Sequence, residues 1–149
     1  MLGAFLLHRY AVDGITESEI ATIITQLKNI SGSDYDANKR MLAFHCLASY
    51  TTLALPTTEG IRRLFIHHGH LYSREELKDW LTKGTIVISG HTHVTVMEEE
   101  AGLFYFNPGS ISLPKCSDGN TCGILEVKNE SVKMSLYTIE GKLIRESVF

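Results

Sequence analysis

Residues 85–93 read TIVISGHTH, and the fold class of this 149-residue chain follows from this stretch more than from any other. Its first half is apolar without alternation, which is typical of a strand covered on both faces in an α/β sheet. A glycine and two histidines, His91 and His93, come directly after that strand. Because loops at a sheet edge commonly build functional sites, we expect these histidines to lie at such an edge.

A second histidine cluster, residues 67–70, follows another apolar stretch. Residues 62–67 are predicted to form a strand, which pairs as a hairpin with a strand over 50–55 across a turn at 56–60. Imidazole is the commonest protein ligand of borderline divalent metals, and the glycine beside each cluster lets the backbone turn sharply. One His-x-His alone more often just shares a strand face, whereas two such clusters predict a metal site.

Two helix starts are marked by capping boxes, at residues 16–19 and 73–76. The first helix is expected over about residues 17–29, and a short helix is expected to end near Phe44. The later helix is expected to end at a C-terminal glycine cap formed by Gly84. Its buried stripe is predicted to consist of Leu77, Trp80 and Leu81.

The second half of the chain is predicted to be strand after strand. The predicted strands cover residues 93–97, 103–106, 122–127, 132–137 and 143–148. The acidic tip, residues 98–102, is expected to be a solvated hairpin end rather than a metal site. The pattern predicts a mixed sheet, with helices early in the chain and antiparallel strands late.

Composition excludes several classes of protein. With 44% hydrophobic residues and a net charge of −3, the chain is expected to form a single domain over residues 1–149, and not a disordered or fibrous segment. Lysine and arginine are scattered, Arg62-Arg63 being the only conspicuous pair, so no nucleic-acid-binding patch is expected.

No apolar run approaches the roughly 18 residues of a membrane span, so no membrane association is expected. The N-terminus does not resemble a signal peptide, and three cysteines without a CxxC motif favour a cytoplasmic location.

Three motifs in a specific order carry a family resemblance: HGH at 68–70, GHTH at 90–93 and NPGS at 107–110. Together they resemble the calcineurin-like metallophosphoesterases, and in particular a small bacterial phosphodiesterase subgroup. The resemblance is good from about residue 53 onward and looser back to Met1. It implies an α/β fold of the metallophosphoesterase type, which is a mixed β-sandwich flanked by helices. In this family, two metal ions at the sheet edges polarise a phosphate ester for in-line attack.

The resemblance also implies roles for single residues. His68 and His91 correspond to ligands of one metal, and His93 corresponds to a ligand of the other. His70 is expected beside these ligands or facing the phosphate. A turn that supports the histidine loop corresponds to Asn107, Gly109 and Ser110. The residue types of this turn are equally well explained by a stiff turn that does not support the histidine loop.

The family's carboxylate ligands have no counterpart in this chain. No Asp-x-His occurs in the sequence, Ala4 stands where the aspartate of a Gly-Asp pair is expected, and Ser33 or Gly32 replaces a metal-binding asparagine. Only Asp34 and Asp36 remain as carboxylate candidates. The resemblance therefore implies a truncated domain that lacks the family's first strand and helix.

The missing carboxylates limit the number of metal ions. Two dications about 3.7 Å apart repel by roughly 18 kcal/mol at an effective dielectric constant near 20. Neutral imidazoles do not offset that repulsion, so we expect at most one divalent ion per chain. Manganese, nickel, zinc and iron all suit a site made of His68 and His91 with His93 or His70.

The function implied by the resemblance is metal-dependent hydrolysis of a small phosphodiester or phosphomonoester, impaired in this chain. The alternative is a catalytically degenerate module that binds metal or another protein. A third interpretation is that this chain is a truncated gene product that begins inside a longer enzyme. Loss of a central strand would expose strand edges and apolar surface, which pairing of subunits in a homo-oligomer would cover.

Overall fold

The computed structural model describes residues 49–57, 60–127 and 131–148, together with the backbone of residues 5–9. The strands and the helix of this part are β1 (Phe5–Arg9), β2 (Tyr50–Thr57), β3 (Gly60–His67), α1 (Arg74–Trp80), β4 (Ile86–Ile88), β5 (Thr95–Glu100), β6 (Leu103–Pro108), β7 (Thr121–Val127), β8 (Val132–Thr138) and β9 (Leu143–Val148). The helices predicted over 17–29 and up to Phe44 lie outside the described residues.

The strands form two mixed sheets. The five-stranded sheet has the order β2-β3-β4-β6-β5, in which β3, β4 and β6 are parallel and the two edge strands are antiparallel to their neighbours. The four-stranded sheet has the order β1-β7-β8-β9, with β1 parallel to β7. The α/β class with mixed sheets and the β2–β3 hairpin are confirmed, whereas the sequence did not predict β1.

The main core lies between the two sheets. Phe106 from the five-stranded sheet and Leu125 and Leu136 from the four-stranded sheet are fully buried in it. Gly123 in β7 makes room for Phe106, because a Cβ at this position would lie only 2.6 Å from the ring. The packing of the two sheets at this point therefore requires a glycine opposite the large side chain.

A second core packs α1 against the other face of the five-stranded sheet. Its buried residues are Phe65, Leu77, Val87, Leu103 and Tyr105. Strand β4 contributes Val87 to this core and Ile86 and Ile88 to the main one. The unbroken apolar run of β4 thus reflects burial on both faces, as predicted.

The capping box of α1 is confirmed, since the Ser73 hydroxyl accepts from the Glu76 backbone N–H and Glu76 accepts from the Ser73 N–H. The predicted end of the helix is wrong. Helix α1 ends at Trp80, and Gly84 instead adopts a φ of +83° in the turn before β4, where its N–H donates to Gly102. A helix of seven residues buries one apolar position fully, which is Leu77.

The prediction that Trp80 is buried is wrong. Its side chain is 56% exposed and packs edge-on against Tyr72 at the rim of the second core. The chain leaves the helical conformation at the next residue, Leu81, which is extended and packs partly buried against the second core.

The predicted extent of the acidic hairpin end is also corrected. Glu98 and Glu100 belong to β5, and the turn consists of Ala101 and Gly102, both with positive φ as a tight hairpin turn requires. Both carboxylates pair with Arg74 of α1, and Glu100 pairs with Lys78 as well. These residues therefore tie the hairpin to the helix. Within the described ranges, no helix is long and apolar enough to cross a bilayer.

Candidate metal centre

The two histidine loops meet at one edge of the five-stranded sheet. His68 follows β3 and His91 follows β4, and these strands are parallel neighbours, so their ends lie side by side. The Gly90 N–H donates to the His68 carbonyl at 3.0 Å. Gly69 has a φ of +105°, and a Cβ there would stand 2.9 Å from the Gly90 oxygen. The close approach of the loops therefore requires glycine at position 69.

Three imidazole rings form a cluster at this edge. The Nε2 of His68 lies 3.2 Å from the Nδ1 of His91. The ring of His70 is centred 4.9 Å from His68 and 5.6 Å from His91. Two nitrogens that bind one tetrahedral ion at about 2.0–2.1 Å are separated by about 3.3 Å. The His68–His91 separation thus fits two ligands of a single ion.

His93 has a different environment. Its Nδ1 lies 2.7 Å from the Leu113 carbonyl oxygen and donates to it, which leaves Nε2 as the acceptor nitrogen. The Ser110 hydroxyl accepts from the Leu113 N–H at 3.0 Å and so holds the acceptor of His93 in place. Among the described residues, His93 makes no ring contact with the three clustered imidazoles. The structure therefore groups His70, rather than His93, with His68 and His91.

Backbone strain is concentrated in the second histidine loop. His91 and His93 have φ values of +68° and +62°, and Ala101 in the hairpin turn is the one other non-glycine residue with positive φ in the described part of the chain. Such conformations cost of order 1–3 kcal/mol each and cluster at functional sites. Their occurrence at two adjacent candidate ligands is an independent reason to place a site here.

Asn107 supports the strained loop from β6. It is buried, its Nδ2 donates to the Gly90 carbonyl at 2.9 Å and to the Thr92 hydroxyl at 3.1 Å, and its Oδ1 accepts from the Gly109 N–H at 3.0 Å. Gly109 has a φ of +79°, and a Cβ there would collide with the Thr121 hydroxyl. The NPGS turn is thus stiff and at the same time bonded to the histidine loop.

The environment of His68 favours the neutral imidazole. Burial is the largest cause that lowers the pKa of His68 from 6.5 to about 4, and positive charge on the neighbouring His70 and His91 also lowers it. His68 is therefore neutral at pH 7, the form in which histidine binds metals.

His67 belongs to the same stretch of sequence but points elsewhere. Its buried ring contacts Phe65 and Tyr72 on the α1 side of the sheet, and burial lowers its pKa. His67 is the last residue of β3, whereas His68 is the first residue of the loop that follows it. His67 therefore lies outside the cluster that its neighbour helps to form.

The donor set around the cluster is incomplete as a metal centre. Within the described ranges, no group of three or more histidine, cysteine, aspartate and glutamate side chains is arranged to hold a metal ion. The His68–His91 nitrogens fit one borderline ion, but neutral imidazoles do not fit a pair of dications. Two carboxylate candidates and two substituted ligand positions lie outside the described residues: Asp34, Asp36, Ala4, and either Gly32 or Ser33.

Sequence reasoning missed two residues that shape this site. The Thr92 hydroxyl accepts from both Asn107 and the Val94 N–H, and the Leu113 carbonyl orients His93. Thr92 lies inside the GHTH motif, so the sequence could have indicated that it belongs to the site. A backbone carbonyl has no side-chain signature, and nothing in the sequence indicated Leu113.

Residues 11–130 match the calcineurin-like phosphoesterase superfamily domain, and the chain belongs to this superfamily. Among curated relatives, it is similar to phosphodiesterase YfcE of Escherichia coli strain K12, with 34% identity over 93 residues, which are 62% of this chain and 48% of the relative. It is also similar to the probable metallophosphoesterase YsnB of Bacillus subtilis strain 168, with 29% identity over 100 residues, covering 60% of this chain and 56% of that one. The chain spans about half the length of these relatives.

Solved structures show the same fold. The YfcE phosphoesterase from E. coli aligns with a TM-score of 0.58 and 24% identity, over 85% of this chain and 70% of that chain. Vacuolar Protein Sorting 29 from Cryptosporidium parvum aligns with a TM-score of 0.54 and 18% identity, over 69% of this chain and 57% of that chain.

Proposed function

We propose that this chain is a metal-dependent phosphoesterase of impaired activity, which binds one divalent ion through its histidine loops and acts on a small phosphate ester. The observation that carries the proposal is the 3.2 Å separation between His68 Nε2 and His91 Nδ1, which suits two ligands of one ion. Membership of the phosphoesterase superfamily and similarity to a curated phosphodiesterase support this choice of reaction.

Each residue of the site has a distinct part in this proposal. His68 and His91 bind the ion, and His70 or His93 completes the histidine set. Asn107 holds the loop that carries His91 at its strained φ, and Ser110 acts on His93 through Leu113. A bound divalent ion supplies Lewis-acid polarisation of a phosphoryl oxygen. Manganese, nickel, zinc and iron are the ions that this donor chemistry suits.

The expected impairment of activity follows from the absence of negative charge on the described ligands. An imidazole brings no negative charge, so a second dication beside the first is not compensated by these ligands. Asp34 and Asp36 are the sequence's remaining carboxylate candidates. We therefore expect one ion per chain and slow turnover.

A non-catalytic module that binds metal or another protein is the second candidate. Three apolar side chains beside the histidines favour it, because they are exposed at the same edge: Leu71, Val94 and Leu113. Exposed apolar side chains around a polar site are typical of interaction surfaces.

One experiment separates these functions. Metal content per chain is measured by plasma mass spectrometry, in parallel with hydrolysis of bis(p-nitrophenyl) phosphate with added Mn²⁺ or Ni²⁺. His91→Ala is the test variant, and His8→Ala, in β1 of the other sheet, is the matched control. We expect one ion and slow turnover, both lost in H91A and kept in H8A.

The other outcomes contradict the proposal in different ways. Two ions with turnover that H91A abolishes would overturn the one-ion site. One ion without turnover would favour the binding module. No ion and no turnover would exclude a metal site in this chain.

A further inference from the structure

A cationic pocket lies at the end of the five-stranded sheet that is opposite to the histidine loops. It is lined by the end of β2, by the start of β3 and by the segment between α1 and β4, and its volume is about 240 Å³. Arg62, near the start of β3, is separated from His68 by roughly 20 Å at about 3.3 Å per residue. The pocket is therefore a separate site from the candidate metal centre.

Among the described residues, every charged side chain that lines the pocket is cationic. Its lining includes Arg62, Arg63 and Lys83, and no described lining residue is acidic. Within the described part of the chain, none of these three side chains forms an ion pair. Glu98 and Glu100 of β5 pair instead with α1, both with Arg74 and Glu100 also with Lys78. In a chain with a net charge of −3, this local excess of cations is the feature that needs an explanation.

Local contacts hold the three cationic side chains around the pocket. The Arg63 guanidinium donates to the Thr82 hydroxyl at 3.1 Å. The Arg62 guanidinium lies against Gly84, where a Cβ would come within 3.4 Å of it. The stem of Lys83 packs over Gly102, with its Cγ 3.0 Å from where a Cβ would be. The two guanidinium groups and the stem of Lys83 thus each have a contact of their own, which lowers the entropic cost of binding.

We propose that this pocket binds a small anion with at least two phosphate groups. Guanidinium groups form paired hydrogen bonds with phosphate oxygens, and lysine adds a point charge. The hydroxyls of Thr57 and Thr82 add polar groups to the lining. Three cations match a diphosphate better than a single phosphate in charge, and a half-open pocket of about 240 Å³ suits a small molecule rather than a strand of nucleic acid. This inference is independent of the proposed function.

The test is isothermal titration calorimetry with inorganic pyrophosphate and with orthophosphate, at constant ionic strength and with EDTA present. The variants are Arg62→Gln, Arg63→Gln and Lys83→Gln, and the matched control is Lys142→Gln in the β8–β9 turn. We expect pyrophosphate to bind more tightly than orthophosphate. Each pocket variant should lose about tenfold in affinity, the size expected for a hydrogen bond to a charged group, with an unchanged melting temperature. K142Q should bind like the original chain.

Several results would overturn the assignment. One is the absence of pyrophosphate binding above that of a chloride blank. Another is an equal loss in K142Q, which would indicate a nonspecific charge effect. Loss of binding in His91→Ala with retention in R62Q would place the anion at the histidine loops. Tighter binding of a short oligonucleotide than of pyrophosphate would indicate an extended nucleic-acid surface instead of a small-molecule pocket.

Discussion

The Nδ2 of Asn107 donates to the carbonyl oxygen of Gly90 at 2.9 Å, and this bond ties β6 to the residue directly before His91. The same amide group reaches the Thr92 hydroxyl, so one buried side chain holds the loop on both sides of the strained histidine. The conformation of the candidate ligand therefore depends on a residue 16 positions later in the sequence.

Replacing Asn107 with aspartate should weaken metal binding. The introduced carboxylate would keep an acceptor for the Gly109 N–H but would lose the donor to Gly90 and Thr92. Loss of a bond that orients a ligand typically costs 10–100-fold in metal affinity, and we expect a loss of about this size in zinc titrations. Leaving the buried Gly90 acceptor unpaired should also lower the free energy of unfolding by about 1–3 kcal/mol. Unchanged zinc affinity in N107D would show that Asn107 does not position the site.

Substitution of Gly69 with alanine should separate the two histidine loops. A Cβ would stand 2.9 Å from the Gly90 carbonyl at a φ that disfavours any side chain. Gly60→Ala is the matched control, because Gly60 also has a positive φ but a Cβ there meets nothing within 4 Å. Urea denaturation should show a loss of about 1–3 kcal/mol for the strained backbone in the control and a larger loss in G69A. Equal losses in the two variants would mean that the loop contact contributes nothing.

Gly123→Ala should destabilise the main core. The new Cβ would lie 2.6 Å from the Phe106 ring, and overpacking of this kind typically costs about 1–3 kcal/mol. Phe106→Leu in the same chain should restore part of that loss, because the smaller side chain vacates the space. A double-mutant cycle measured by thermal unfolding gives the coupling energy. Strict additivity of the two changes would contradict the predicted contact.

The attachment of α1 to the β5–β6 hairpin should weaken in acid. The hydrogen bond from Lys78, followed by that from Arg74, lowers the pKa of Glu100 below its usual 4.5. Its contribution to stability is therefore fully present above pH 4.5 and is lost as the pH falls through the lower value of the folded state. Glu100→Gln should reduce the loss of stability between pH 6 and pH 3 in urea titrations, whereas Glu140→Gln, in the exposed β8–β9 turn, should not. The same acid response in E100Q as in the unaltered chain would contradict this role.

Much of the architecture could be predicted because its signals are local. The apolar run before Gly90 marks a strand buried on both faces, and the Ser73–Glu76 pair marks a helix start, since each depends on neighbours in the sequence. The predictions for Trp80 and Gly84 were wrong because the chain becomes extended at Leu81, three residues before the glycine, and leaves Trp80 exposed. The capping box marks where the helix begins and carries no information on where it ends.

The sequence by itself determined that histidines follow two apolar strands and that glycines permit sharp turns there. Only the tertiary structure decided which of them meet. His67 and His68 are adjacent in the chain, yet His67 packs on the α1 side of the sheet and His68 lies in the loop at its edge, whereas His68 and His91 are 23 residues apart and come within hydrogen-bonding distance. The physical reason is that a strand alternates its side chains and a parallel sheet aligns the ends of its strands, so the partners of a side chain follow from strand pairing rather than from proximity along the chain.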